Sequence, residues 1–189
     1  MEYLLKRIAI LMKVGIFRSQ NGELTSYQKH AEYNPILHSE RLREHLIEAA
    51  SRQEFPYLYK DKYSVYFACI QAEDSFYLIG PMSIQLLERV ELHHYYRNYE
   101  MTKETEKRLL HFSFAEVLDI VEVIAKIVSG EEYSDDDLIY ANHLIRETKE
   151  QEEHEQVLFD MKEGEEELYH HTYQEERKLL DSVRDGRSE

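Results

Sequence analysis

The sequence predicts an α+β fold, one antiparallel sheet packed by helices, and three features carry that expectation. The stretch "FPYLYKDKYSVYFACIQAEDSFYLIGPMS" is dominated by Tyr, Phe, Val and Ile, the residues strands prefer. Asn21–Gly22 sits between two short runs and tolerates positive φ at both turn centres, a strong hairpin signal. After Gly80–Pro81 the spacing of apolar residues turns helical and helix caps recur.

Taken in order, Leu4, Leu5, Ile8, Leu11 and Met12 give the first sixteen residues the pattern of a helix with one buried face. The Asn21–Gly22 hairpin follows. "SERLREHLIEAASRQ" predicts a helix capped by Ser39, with Leu42, Leu46 and Ala49 on one side. Strands are expected over 55–59, 63–71 and 75–80, the last two joined by a Glu73–Asp74 turn. Within the longest, Val65, Phe67 and Cys69 alternate with Tyr66, Ala68 and Ile70, so both faces are apolar. Such a strand belongs inside a sheet covered on both sides. Gly80–Pro81 is expected to end the third strand, because proline donates no ladder hydrogen bond. "LLERVELHHYYRNY" reads as helical. "SFAEVLDIVEVIAKIVSG" has a Ser113/Glu116 capping box and Gly130 as its C′ glycine, and "SDDDLIYANHLIRETKEQ" repeats the box with Ser134 and Asp137.

Composition narrows the function classes. A hydrophobic content of 42% in 189 residues supports a real core. The single cysteine, Cys69, excludes an internal disulfide and fits a reducing compartment. Lys13 interrupts the apolar N-terminal stretch and no small-residue cleavage site follows, while "VLDIVEVIAKIV" holds Asp119, Glu122 and Lys126 and cannot span a bilayer. The expectation is a cytoplasmic protein with no membrane contact. Residues 1–100 carry a net charge of −1 and residues 101–189 a net of −14, giving −15 for the chain. An acidic half of this kind repels phosphate backbones, so the chain by itself is not expected to bind nucleic acid.

No chemical signature stands out. Glu91/His94 and Glu167/His170 have the i, i+3 spacing of carboxylate-bridged metal bundles, but a chain this rich in glutamate yields two such pairs by chance. His93–His94 and His170–His171 read as solvated, and Cys69 as an inert core thiol. With no Gly-rich phosphate loop, G-x-S-x-G elbow or H-E-x-x-H pattern, no enzyme activity, metal or cofactor is expected. Fifteen tyrosines remain to be placed. Tyr57, Tyr59, Tyr63, Tyr66 and Tyr77 fall on the expected sheet, and Tyr95, Tyr96 and Tyr99 on the helix after it. Tyrosines can fill a core boundary or line a pocket. On the pocket reading, Tyr66, Phe67, Tyr77 and Gly80 are the ligand-lining positions, and a bulky-to-small change at Tyr66 should abolish effector response while sparing the fold.

The C-terminal stretch "YHHTYQEERKLLDSVRDGRSE" places Tyr169, Tyr173, Leu180 and Val183 near one stripe of an otherwise charged helix. Such a helix needs a partner surface: its own domain, its copy in a dimer, or a further domain. Helix, hairpin, helix, three strands and helices is also the general order found in small sensory domains of the PAS and GAF kind. The stretches "PYLYKDKYSVYFACI", "FYLIGPMS", "HHYYRNY", "HFSFAEVLDIVEVIAKIVSGEEYSDDDL" and "HHTYQEERKLLDSVRDGR" resemble the N-terminal sensor and dimerisation region of AraC-type transcription regulators of Firmicutes. The similarity runs over most of residues 50–189, and it departs from that family in having no helix-turn-helix. The resemblance implies a sensor domain over 1–130 and an acidic dimerisation or linker segment over 131–189. It also implies a homodimer, a small-molecule effector, and DNA bound only through a domain not in this chain. The alternative from composition is a stand-alone acidic protein that binds a basic partner.

Overall fold

The computed structural model describes residues 1–28, 31–101 and 108–144. The chain divides after Asn142, and the first unit, Met1–Asn142, is compact. Tyr169, Tyr173, Leu180, Val183 and the Glu167/His170 pair lie outside the described residues.

The first unit is α+β. Its elements are α1 (Glu2–Leu11), β1 (Ile16–Gln20), β2 (Glu23–Ser26), a 3₁₀ turn (Ala31–Tyr33), α2 (Pro35–His38), α3 (Glu40–Ala50), β3 (Tyr57–Lys60), β4 (Val65–Ala72), β5 (Ser75–Ser83), α4 (Arg89–Asn98), α5 (Phe114–Val128) and α6 (Asp135–Ala141). The strands form one antiparallel sheet ordered β2-β1-β5-β4-β3. Asn21 and Gly22, at φ 51° and 80°, make the left-handed pair that closes the β1–β2 hairpin. Ala72 pairs with Ser75 across the Glu73–Asp74 turn.

Register explains how the sheet is covered. Phe17, Phe67, Cys69 and Leu78 share one face and pack with Ile36, Leu42, Leu46, Leu92, Tyr95 and Tyr96 from α2, α3 and α4, and with Tyr99 just past the end of α4. The opposite face carries Tyr66, Ala68, Ile70, Tyr77 and Ile79. There the Tyr66 ring lies tilted against Phe114 at the start of α5, 5.6 Å between centroids, and Tyr77 lies beside Met1. Helices on both sides require the two-faced apolar pattern of β4, whose residues Val65–Ile70 are all buried.

Three expectations are corrected. In α1 the buried side is Leu5, Ile8 and Ala9, whereas Leu4 and Leu11 of the expected stripe are exposed on the other side of the helix. β5 does not stop at Gly80–Pro81 but runs to Ser83, because those two residues form a bulge. Pairing passes from Ala68↔Ile79 to Tyr66↔Met82, so proline stands where the ladder asks for no donor. In α3 the buried alanine is Ala50 rather than Ala49, one position on from the expected stripe. The caps stand as read: Ser39 accepts from Leu42 N–H at 3.3 Å, and Ser113/Glu116 and Ser134/Asp137 form reciprocal boxes.

Candidate functional site

The four positions expected to line a pocket are not brought together as one group, although Gly80 adjoins Phe67. Tyr66 and Tyr77 face α5 and α1, whereas Phe67, next to Tyr66 on β4, faces α3 and α4. Alternation along a strand forces that separation. Gly80 is backbone to the bulge at φ 131°, and a Cβ there would stand 2.9 Å from Phe67 Cδ1. Its glycine is required by the close approach of β4. Tyr66 is wholly buried, so truncating it would remove core packing rather than spare the fold.

The structure instead gathers a polar cluster inside the α3/α4 side of the core. Its centre is Asp61, in the four-residue connection between β3 and β4. That connection is tight: Asp61 N–H donates to Val65 O at 3.0 Å, Ser64 N–H donates to Asp61 O at 3.1 Å, and Ser64 adopts φ 57°. The buried Asp61 carboxylate accepts from Tyr63 N–H at 2.8 Å and Val65 N–H at 2.9 Å through Oδ1. Its Oδ2 accepts the Tyr99 hydroxyl at 2.8 Å. One carboxylate therefore closes a hairpin and ties α4 to it. Burial pushes the Asp61 carboxyl above the ordinary aspartate range, against the opposing pull of these three hydrogen bonds.

Aromatic rings surround this bond. Tyr95 meets Tyr63, Tyr96 and Tyr99 at centroid distances of 5.7, 5.2 and 5.1 Å, and Tyr99 meets Phe67 at 5.6 Å, all edge to face. Tyr59 extends the group to His45 on α3, whose Nε2 lies 3.2 Å from the Tyr57 hydroxyl. Tyr95 on α4 and Tyr99, the residue that caps its C-terminus, are four residues apart, and their rings meet on one side of the helix end. The Tyr95 side chain is fully buried, and among the described residues its hydroxyl has no hydrogen-bond partner. Burial, then the nearby Tyr99 and Asp61, push the Tyr95 hydroxyl far above its usual range, so it keeps its proton. A buried donor without an acceptor is costly, by roughly 1–3 kcal/mol, and calls for an account.

No family model, curated protein or solved structure matches this chain.

Other groups with chemical potential sit elsewhere. His93 and His94 are exposed on α4, and Glu91 is spent on the N-terminus of that helix, where it accepts from Glu88 N–H at 2.9 Å. Cys69 is buried and desolvation pushes its thiol up, which suppresses the thiolate. Asp119 and Glu122 of α5 and Asp135 of α6 bring carboxylate oxygens within 4.8 Å of one another. Desolvation, reinforced by Asp135, pushes Glu122 up to about 6. Among the described residues no helix is long and apolar enough to cross a membrane.

The tyrosines themselves were visible in the sequence, but Asp61 as their hub was missed. The available signal was an acidic residue opening a short turn between two aromatic strands, with Tyr95 and Tyr99 at i, i+4 on a later helix.

Proposed function

We propose that this chain is the effector-sensing, non-catalytic region of an AraC-type transcription regulator. On this reading it has a PAS/GAF-like sheet, forms a homodimer in the cytoplasm, and passes its state to a DNA-binding domain outside these residues. The observation that carries the reading is the fully buried Tyr95 hydroxyl, without a partner among the described residues and set among aromatic rings beside the Asp61–Tyr99 bond. An apolar aromatic wall with one fixed donor suits a small ligand that carries a hydrogen-bond acceptor. Asp61 is held by three donors and on this reading serves as an anchor. A ligand that accepts the hydrogen bond offered by the Tyr95 hydroxyl would favour one placement of α4 against the sheet, and sensing requires such a differential affinity. The resemblance of residues 50–189 to the sensor region of those regulators supplies the family and the role of the missing domain.

The test starts from protein purified from its source cell. Small molecules released on denaturation are identified by mass spectrometry and returned to the stripped protein. The expected result is a rise in melting temperature for wild type. Tyr95→Phe should show no such rise, while its own unliganded stability increases by about 1 kcal/mol through loss of the orphan hydroxyl. Equal stabilisation of both proteins would sink the assignment. The native polypeptide in cell extracts is also expected to run well above 22.7 kDa.

A second reading, a stand-alone acidic protein that binds a basic partner, is favoured by one surface. Asp119, Glu122 and Asp135 gather their carboxylates, and exposed Asp136 and Asp137 follow Asp135 on α6. Partner capture that weakens steeply with added salt would support it.

A further inference from the structure

We propose that the outer face of α1 pairs with the same face of a second copy of this chain, antiparallel and about a two-fold axis at Arg7. This inference stands apart from the ligand site around Tyr95.

α1 is apolar on two opposite sides. Leu5, Ile8 and Ala9 are buried on the sheet side. At 100° per residue, Tyr3, Leu4, Arg7, Ile10 and Leu11 share the other side. Their exposures are those of an uncovered stripe: Tyr3 71%, Leu4 47%, Ile10 48% and Leu11 77%, with Met1 at 64% beside them. A helix that is hydrophobic all round is normally buried all round. With side chains of this size presenting roughly 150–250 Å² each when fully exposed, the patch comes to about 600 Å², the top of the range monomers show. Pairing two copies would remove ~1,200 Å², the lower bound for a specific interface.

The occupant follows from the symmetry of the stripe. Apolar residues stand at positions 3, 4, 10 and 11, equally spaced about Arg7. An antiparallel crossing at Arg7 therefore places Tyr3 against Leu11 of the other copy and Leu4 against Ile10, as an isologous contact requires. The same alignment brings Glu2, at one end, beside the Lys13 region of the other copy, twice over. Arg7, at the crossing, does not oppose its counterpart end-on. Its Nε donates to the Tyr3 hydroxyl at 3.0 Å and its guanidinium lies 5.0 Å from the Tyr3 ring centroid, so the charge is drawn back onto its own helix.

The test is sedimentation of the full 189-residue chain over a wide concentration range. Wild type is expected to form a dimer in reversible equilibrium with monomer. The double variant Tyr3→Glu/Leu11→Glu, which sets like charges opposite each other, is expected to weaken dimerisation on the order of 100-fold or more. Its far-UV circular dichroism should be unchanged, and its melting should match wild type at concentrations where wild type is monomeric, because both side chains face solvent in the single chain. Arg7→Cys should give a disulfide-linked dimer under mild oxidation, with little background from the buried Cys69. A wild type that stays monomeric throughout overturns the proposal, as does a double variant that dimerises like wild type. Dimers of Arg7→Cys that never cross-link would overturn the antiparallel pairing.

Discussion

Replacing Asp61 separates the geometric role of its carboxylate from its charge. In Asp61→Ala three donors lose their acceptor: the backbone N–H groups of Tyr63 and Val65 and the hydroxyl of Tyr99. Val65 and Tyr99 are buried and cannot turn to water, whereas half-buried Tyr63 can. At roughly 1–3 kcal/mol per stranded buried donor, the loss should be about 3–5 kcal/mol, a large part of the ~5–15 kcal/mol that holds a domain together. Asp61→Asn keeps Oδ1 for both backbone donors, and its new amide can donate to the Tyr99 oxygen. It also removes a buried charge, so its stability should stay within about 1 kcal/mol of wild type. Urea unfolding followed by far-UV circular dichroism near neutral pH measures both. Equal losses for Ala and Asn would refute the reasoning, since only the acceptor geometry distinguishes them. A pH series adds a sign. Burial raises the folded-state pKa of Asp61, so its contribution is fully present below the unfolded carboxyl's titration and is lost as pH rises through the folded one. The Asn variant lacks that loss and should gain on wild type as pH rises from acid towards neutral.

Gly15→Ala should destabilise by about 2–4 kcal/mol in the same unfolding assay, because the added Cβ would fall on Asn34 Nδ2 and the Gly80 carbonyl oxygen. Those two atoms form a buried hydrogen bond of 2.8 Å that would have to break. Asn142→Ala should cost about 1–2 kcal/mol and speed hydrogen exchange at the Leu58 amide, whose proton Asn142 Oδ1 accepts at 2.9 Å. Cys69 should resist thiol reagents in the native protein and react fully once unfolded, since its thiol is buried in β4 and desolvated.

Local chemistry made much of the fold legible. Asn21–Gly22, Ser39, the Ser113/Glu116 and Ser134/Asp137 boxes and Gly130 each act within a few residues of themselves, and each does what its type suggests. The alternation of Val65, Phe67 and Cys69 against Tyr66, Ala68 and Ile70 likewise forecast a strand covered on both faces. Gly80–Pro81 misled because a proline reads as a stop unless the register of the neighbouring strand is known. That register comes from β4, not from β5 itself. The site was harder to read for the same reason. Tyr66 and Phe67 are neighbours in sequence but opposed in space, while Asp61 and Tyr99 are 38 residues apart and hydrogen-bonded. Pairings of that range depend on how α4 is laid across the sheet, which no pattern within α4 encodes. The short helix α2 escaped notice as well; its Asn34 cap and Pro35 start occupy only four residues, too few for periodicity to show.

Asn142 has a consequence for the protein's behaviour in a crowded solution. β3 is the last strand of the sheet, and its outer backbone groups could template another extended chain. The Asn142 side chain accepts from Leu58 N–H and donates to Pro56 O, both at 2.9 Å, as a single peptide unit of a sixth strand would. Resistance to strand-by-strand aggregation thus rests in part on one primary amide outside the sheet. Slow deamidation there, which replaces the donor with a second acceptor facing the Pro56 carbonyl, would open the edge YLYK to its own copies long before the core unfolds.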